Sequence, residues 1–336
     1  MTRHGSDWLF SPIYTFKGHN DGVQPAAPVV FGPDGSLYGT TQFGGVGCNQ
    51  LGCGTVYNLR PPARICGSLS CPWTKTILYE FAGSPDGAEP LYGSLVFDPA
   101  NNIYGTTIAG GTDFGGIAFE LTKTDGAWTE TVLHSFADSG QSGGPQSGVV
   151  LDAAGNLYGA SLGAPHGYGR VYELVKGGTG WSEKVLHAFQ GGDDGAFPYS
   201  SLIFDAAGIA YGTTEGSGEQ RSTVFQLTRG TDGNWTETVL YEFPAGSYGP
   251  RGALAMDTAG NLYGSTYGLG ADRFGFVFKM THAGGSWSFT HLYDFTNGAD
   301  GAYPIGGVTL DSAGNLFGTC VDGGANGYGT IWEITP

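Results

Sequence analysis

The chain has 336 residues, 40 % of them hydrophobic and 13 % aromatic, enough apolar mass for a sizeable core. Only 13 % are charged and the formal net charge is −16, which disfavours nucleic acid and anionic lipid as partners. The 62 glycines argue against helices, where each costs roughly 1 kcal/mol relative to alanine. No apolar run approaches the ~18 residues of a membrane helix, so no membrane insertion is expected.

Residues 1–6 read as a tail. Met1-Thr2-Arg3-His4-Gly5 has no apolar stretch of the signal-peptide kind, so none is expected in this sequence. From Trp8 a register begins: Trp, five residues, Tyr or His, one residue, Phe. It runs Trp8…Tyr14-Thr15-Phe16, Trp73…Tyr79-Glu80-Phe81, Trp128…His134-Ser135-Phe136, Trp181…His187-Ala188-Phe189, Trp235…Tyr241-Glu242-Phe243 and Trp287…Tyr293-Asp294-Phe295. A second motif keeps step with it. Leu37-Tyr38-Gly39-Thr40-Thr41 recurs around Gly105, Gly159, Gly212, Gly264 and Gly318, at spacings of 66, 54, 53, 52 and 54 residues. A fixed period of this length marks a repeat architecture. The long first interval reads as an insertion of about a dozen residues, and it holds Cys48, Cys53, Cys66 and Cys71. Four clustered cysteines point to disulfides, with the pairing left open, ahead of zinc or free thiols.

Each repeat reads as four short strands, a to d. Strand a is apolar, as in Ser94-Leu95-Val96-Phe97-Asp98. An Asp-x-x-Gly-Asn turn follows, as at Asp152–Asn156, where Asn and Gly suit the φ > 0 positions. Strand b is the Leu-Tyr-Gly-Thr-Thr segment. A Gly-rich loop leads to strand c, and a polar turn leads to strand d, which opens at the Trp. Six such units predict an all-β fold, a six-bladed β-propeller in one domain over 7–336. The blades fall at about 25–81, 90–136, 145–189, 198–243, 250–295 and 304–336. The last lacks a strand d, and residues 8–16 are expected to supply it and close the ring, which removes exposed sheet edges.

These motifs, with the Asp-Gly-Ala-x-Pro element and the Gly-rich b–c loop, resemble the GloVer-type tandem repeat of secreted bacterial β-propeller proteins. The resemblance runs from Trp8 to Pro336. It implies an exported bacterial protein, secreted, at the cell surface or periplasmic, and it supplies no catalytic motif to carry over. The cysteine usage agrees with export.

In propellers the d–a and b–c loops share one face, usually the ligand face. The d–a loops carry Asp21, Asp86, Asp194 and Asp300, each in an Asp-Gly-x-x-Pro element. A ring of carboxylates would bind a cation such as Ca²⁺. Recurrence in four blades favours an Asx-type turn instead, since one site needs one copy. Residues that break the symmetry are better candidates. Of eight arginines, Arg170, Arg221, Arg251 and Arg273 fall in ligand-face loops of three successive blades, near His166, Tyr168, Glu215, Tyr248, Tyr267 and Asp272. Such a sector would suit a carboxylate or sulfate, because Arg offers a fork of donors. The competing reading has each Arg neutralise a nearby acid, Arg273 with Asp272 or Arg221 with Glu219. His134 and His187 replace Tyr on strand d and read as packing variants, whereas His19 and His166 lie in loops. No nucleophile-elbow, zinc-protease, P-loop or EF-hand pattern occurs. The sequence therefore predicts a monomeric binding module for a glycan or a cell-surface protein. A polysaccharide hydrolase or lyase at the mouth of the central channel is the alternative.

Overall fold

The computed structural model describes residues 2–4, 7–9, 12–48, 51–62, 73–137, 143–163, 167–178, 180–246 and 248–335. Six small four-stranded antiparallel sheets form a six-bladed β-propeller. Helix among the described residues amounts to two short 3₁₀ turns, His19–Asp21 and Gly192–Asp194. The chain divides into two compact units, Met1–Phe136 with two blades and Ala137–Pro336 with four.

Blade 1 shows the plan. Strand a (Val30–Phe31) pairs with b (Leu37–Thr41), b with c (Thr55–Arg60), and c with d (Thr74–Glu80). The turn between a and b is built by its Asp. In blade 3, Asp152 Oδ1 accepts the backbone N–H groups of Ala154 and Asn156, both at 2.8 Å. Its Oδ2 accepts Asn156 Nδ2 at 3.0 Å and Tyr158 Oη at 3.2 Å. The Asp-x-x-Gly-Asn-x-Tyr spacing thus ties the turn to the Tyr of strand b, and Asp257 does the same with Asn261 and Tyr263.

The glycine of strand b answers to packing. An aromatic ring from strand c lies across it, so a Cβ on Gly105 would sit 2.6 Å from Phe119 Cζ. On Gly212 it would sit 2.5 Å from Phe225, and on Gly264 2.5 Å from Phe278. In blades 1, 3, 4 and 5 a β-bulge in the c–d ladder falls just before this ring. The Phe that ends strand d meets the ring of the following blade. Phe81 packs on Phe119 at 5.2 Å, Phe189 on Phe225 at 5.3 Å and Phe243 on Phe278 at 5.6 Å. The strand d Trp covers the Tyr of the preceding blade, as Trp235 does Tyr158 at 6.2 Å and Trp287 does Tyr211 at 5.8 Å. The aromatic ladder is therefore the glue between blades, as edge-on pairs that bury large area.

The N-terminal segment takes a form that differs from one strand over 8–16. Asp7–Leu9 pairs with Thr2–His4 in a hairpin, and Tyr14 to Phe16 follow without strand pairing. Phe16 still meets Tyr57 edge-on at 5.2 Å, the place that Phe81 takes against Phe119. The side-chain register survives there while the regular ladder does not. The last sheet joins Thr309–Leu310, Leu316–Asp322 and Thr330–Ile334, and Ala302–Pro304 pairs along the same edge of Leu316–Asp322.

Cys48 and Cys53 form a disulfide inside the b–c loop of blade 1. Cys66 and Cys71 lie outside the described residues, and Cys320 is a buried thiol.

Candidate functional site

The four d–a loop aspartates share one arrangement. Asp21 Oδ2 accepts the Lys17 N–H at 2.7 Å, and its Oδ1 accepts Tyr14 Oη at 2.7 Å. Asp86 receives Ala82 N–H and Tyr79 Oη, and Asp300 receives Thr296 N–H and Tyr293 Oη. Asp194 receives Gln190 N–H at 2.7 Å and stands 2.9 Å from His187 Nε2. Each carboxylate closes its own loop by bonding a backbone group four residues back and the Tyr or His side chain seven back.

Three of the four arginines meet carboxylates. Arg170 Nε donates to Glu183 Oε1 at 2.7 Å, and an Nη donates to the Gly163 carbonyl. Arg221 pairs with Asp193 at 2.8 Å and Glu242 at 3.1 Å, so its partners differ from the expected Glu219. Arg251 Nε and Nη2 both lie 2.6 Å from Glu215 Oε1. Arg273 and Asp272 are exposed on the b–c loop of blade 5. His166 lies outside the described residues. Tyr168 packs on Phe197 at 6.3 Å, in a different surrounding from Tyr248 and Tyr267.

Arg251, Glu215, Tyr248 and Tyr267 converge, and Tyr199 joins them. The Arg251 guanidinium sits 4.4 Å from the centre of the Tyr267 ring, 5.6 Å from that of Tyr248 and 5.8 Å from that of Tyr199. Tyr303 extends the aromatic surface, 5.0 Å from Tyr267. Glu215 is buried, with its side chain 4 % exposed, whereas that of Arg251 is 35 % exposed and Tyr248 is 49 % exposed. Burial raises the Glu215 carboxyl, and the Arg251 charge pulls it back.

The backbone mounts this cluster across two consecutive blades. Glu215 N–H bonds the Phe197 carbonyl, Gly249 N–H bonds that of Glu215, and Tyr267 N–H bonds that of Gly249, each at 3.0 Å. Ser222 Oγ also donates to the Glu215 carbonyl. This ladder alternates residues that follow strand b, Glu215 and Tyr267, with d–a loop residues that precede the loop proline, Phe197 and Gly249. The result is a platform of tyrosine rings around one ion pair, with Arg251 and Tyr248 partly open to solvent. Such a surface offers aromatic stacking area beside a partly exposed guanidinium.

Tyr199 escaped the sequence reading. It follows Pro198 as Arg251 follows Pro250, and Ala26, Leu91, Gln146 and Ile305 hold the same place elsewhere. Comparing that one position across the repeats singles out Tyr199 and Arg251. A separate surface cavity of about 420 Å³ lies in the N-terminal unit, on the a–b turn side of its blades, against Asp34, Tyr38, Phe97, Lys123 and Trp128. It includes none of the loop residues above.

Comparison of the sequence with curated proteins returned no match. Among solved structures, a putative oxidoreductase (glucose dehydrogenase) from Thermus thermophilus superposes with a TM-score of 0.56 at 14 % identity, over 93 % of this chain and 97 % of that one. A luciferin-regenerating enzyme superposes with a TM-score of 0.51 at 11 % identity, over 95 % and 92 %. A protein of unknown function from Dyadobacter fermentans gives 0.51 at 13 % identity, over 91 % and 92 %. At these identities the likeness concerns the fold. The profile of the Gloeobacter/Verrucomicrobia repeat matches residues 1–225 and 215–336, so the chain belongs to the Gloeobacter/Verrucomicrobia repeat family.

Proposed function

We propose that the protein is an exported binding module for a neutral saccharide, held on the tyrosine platform around Arg251 and Glu215. One observation carries this reading: three tyrosine rings within 6 Å of a guanidinium that is itself paired to a buried carboxylate. Sugar rings have apolar C–H faces that stack on aromatics, and hydroxyls that take both donors and acceptors. The partly exposed Arg251 supplies donors, and its pairing with the buried Glu215 leaves the site locally neutral. Arg170 and Arg221 are likewise paired with acids, which argues for a neutral glycan over an acidic one. The Cys48–Cys53 disulfide fits an oxidising compartment, as export requires. The charged group beside Glu215 is Arg251, whereas glycoside hydrolysis takes two facing carboxyl groups, so binding is the better reading than hydrolysis.

The test is calorimetric titration with neutral gluco-, xylo- and manno-oligosaccharides, using wild type and Tyr267→Ala, with product analysis of each mixture. The expected result is saturable binding to intact sugar, weakened about tenfold, or ~1.4 kcal/mol, in the variant. Binding that ignores Tyr267→Ala, or that appears only with acidic sugars, would overturn the proposal. Shortened products would replace it with the hydrolase reading.

A further inference from the structure

The repeat builds a second constellation that the saccharide platform does not use. It combines the Tyr or His of strand d, the loop Asp seven residues later, and the residue two after the Trp of the following blade. In the N-terminal unit these positions hold Tyr14, Asp21 and Lys75, then Tyr79, Asp86 and Glu130. In the C-terminal unit they hold His187, Asp194 and Glu237.

The three sets differ in charge and donor type. In the first, Lys75 Nζ is 3.2 Å from Asp21 Oδ1, so the carboxylate has its counter-charge built in. In the second, Tyr79 donates to Asp86 at 3.0 Å, and Glu130 Oε1 is buried without a hydrogen-bond partner. Burial holds the Tyr79 phenol protonated far beyond neutral pH, so it is no metal ligand. In the third, an imidazole replaces the phenol, and Glu237 Oε1 is again buried and unpartnered. Donor atoms of His187, Asp194 and Glu237 lie within 4.8 Å of one another.

We propose that His187, Asp194 and Glu237 form a binding site for a divalent first-row transition cation of the zinc kind. Bound as ligands, two carboxylates and an imidazole would place two negative charges on the ion, as Asp21 faces Lys75 in the first set. An imidazole nitrogen with two carboxylate oxygens is a donor set that suits zinc and its neighbours; calcium would want six to eight oxygens. The 2.9 Å separation of His187 Nε2 and Asp194 Oδ1 is near the edge of a four-coordinate site, about 3.3 Å for metal–ligand bonds of about 2.0–2.2 Å. Supports are in place around the ligands. The Gln190 N–H holds Asp194 Oδ2 and leaves Oδ1 toward the histidine, and Phe189 packs on the His187 ring at 4.8 Å. The side chains of His187 and Asp194 are 20 % and 24 % exposed, which gives an ion a way in and leaves room for a water ligand.

The experiment strips the purified full chain with EDTA and titrates it with Zn²⁺, and with Co²⁺ read by visible absorption. Ca²⁺ runs in parallel. The variants are His187→Tyr, which recreates the Tyr79 arrangement, Glu237→Gln, and Glu130→Gln as a control outside the site. Circular dichroism checks that each is folded. The expected result is one equivalent of Zn²⁺, bound at least tenfold more weakly by His187→Tyr and Glu237→Gln and unchanged in Glu130→Gln. Two variants at different ligands keep the test decisive if one fails to fold. No stoichiometric Zn²⁺ binding by wild type would overturn the site, as would equal affinity in both ligand variants or a preference for Ca²⁺.

Discussion

Glu130 gives a pH-dependent stability effect that can be worked through. Its carboxyl lies on strand d of blade 2 with Oε1 buried and unpartnered, and burial, then the Asp86 charge, push it from 4.5 up to about 7. The native state therefore holds a proton that the unfolded chain releases between pH 4.5 and about 7. Where the native state binds more protons, stability falls as pH rises. The contribution is fully present below pH 4.5 and gone above about pH 7. At about 1.4 kcal/mol per tenfold change in proton affinity, the ceiling is about 3 kcal/mol; partial contact with water lowers this to about 1–2 kcal/mol. Glu130→Gln keeps the shape and removes the charge. It should match wild type at about pH 4 and exceed it by about 1–2 kcal/mol at about pH 8, measured by urea unfolding across that range. A gain independent of pH, or a loss at the alkaline end, would refute the reasoning.

Other perturbations follow from the same geometry. Arg251→Ala leaves the buried Glu215 carboxylate uncompensated and should cost about 1–3 kcal/mol in urea unfolding at neutral pH, most of it recovered by adding Glu215→Gln. Gly105→Ala drives a Cβ against Phe119 Cζ and should cost about 1–3 kcal/mol by the same assay, with Phe119→Leu in the same chain relieving part of it. Lys75→Ala removes the ammonium from Asp21 and from the faces of Phe16 and Tyr57, 5.0 and 5.5 Å away; thermal unfolding should register a loss of about 2–4 kcal/mol.

The blades were legible because each depends on local chemistry. The Asp-x-x-Gly-Asn turn bonds within a few residues, and the Trp and Phe of strand d sit at fixed distances along one strand. What escaped depends on separations that the period hides. The glycine of strand b reads as an ordinary strand residue until the paired strand c lays an aromatic ring across it. The Arg251 partner is 36 residues away, and those of Arg221 come from two directions, Asp193 and Glu242, so neighbouring acids such as Glu219 misled. Tyr199 lies in a loop whose approach is set by the cross-blade backbone ladder. His187 packs on Phe189, as a strand d variant of Tyr would, but its meeting with Glu237 crosses from one blade to the next.

The measurement that tests the binding site most directly is NMR of the Arg251 Nε–H and the tyrosine ring signals during titration with a neutral oligosaccharide. The prediction is saturable shifts at Arg251, Tyr248 and Tyr267 at one common affinity, abolished together by Tyr267→Ala in a folded protein. Saturable binding that leaves these signals in place, with shifts in other loops, would contradict it.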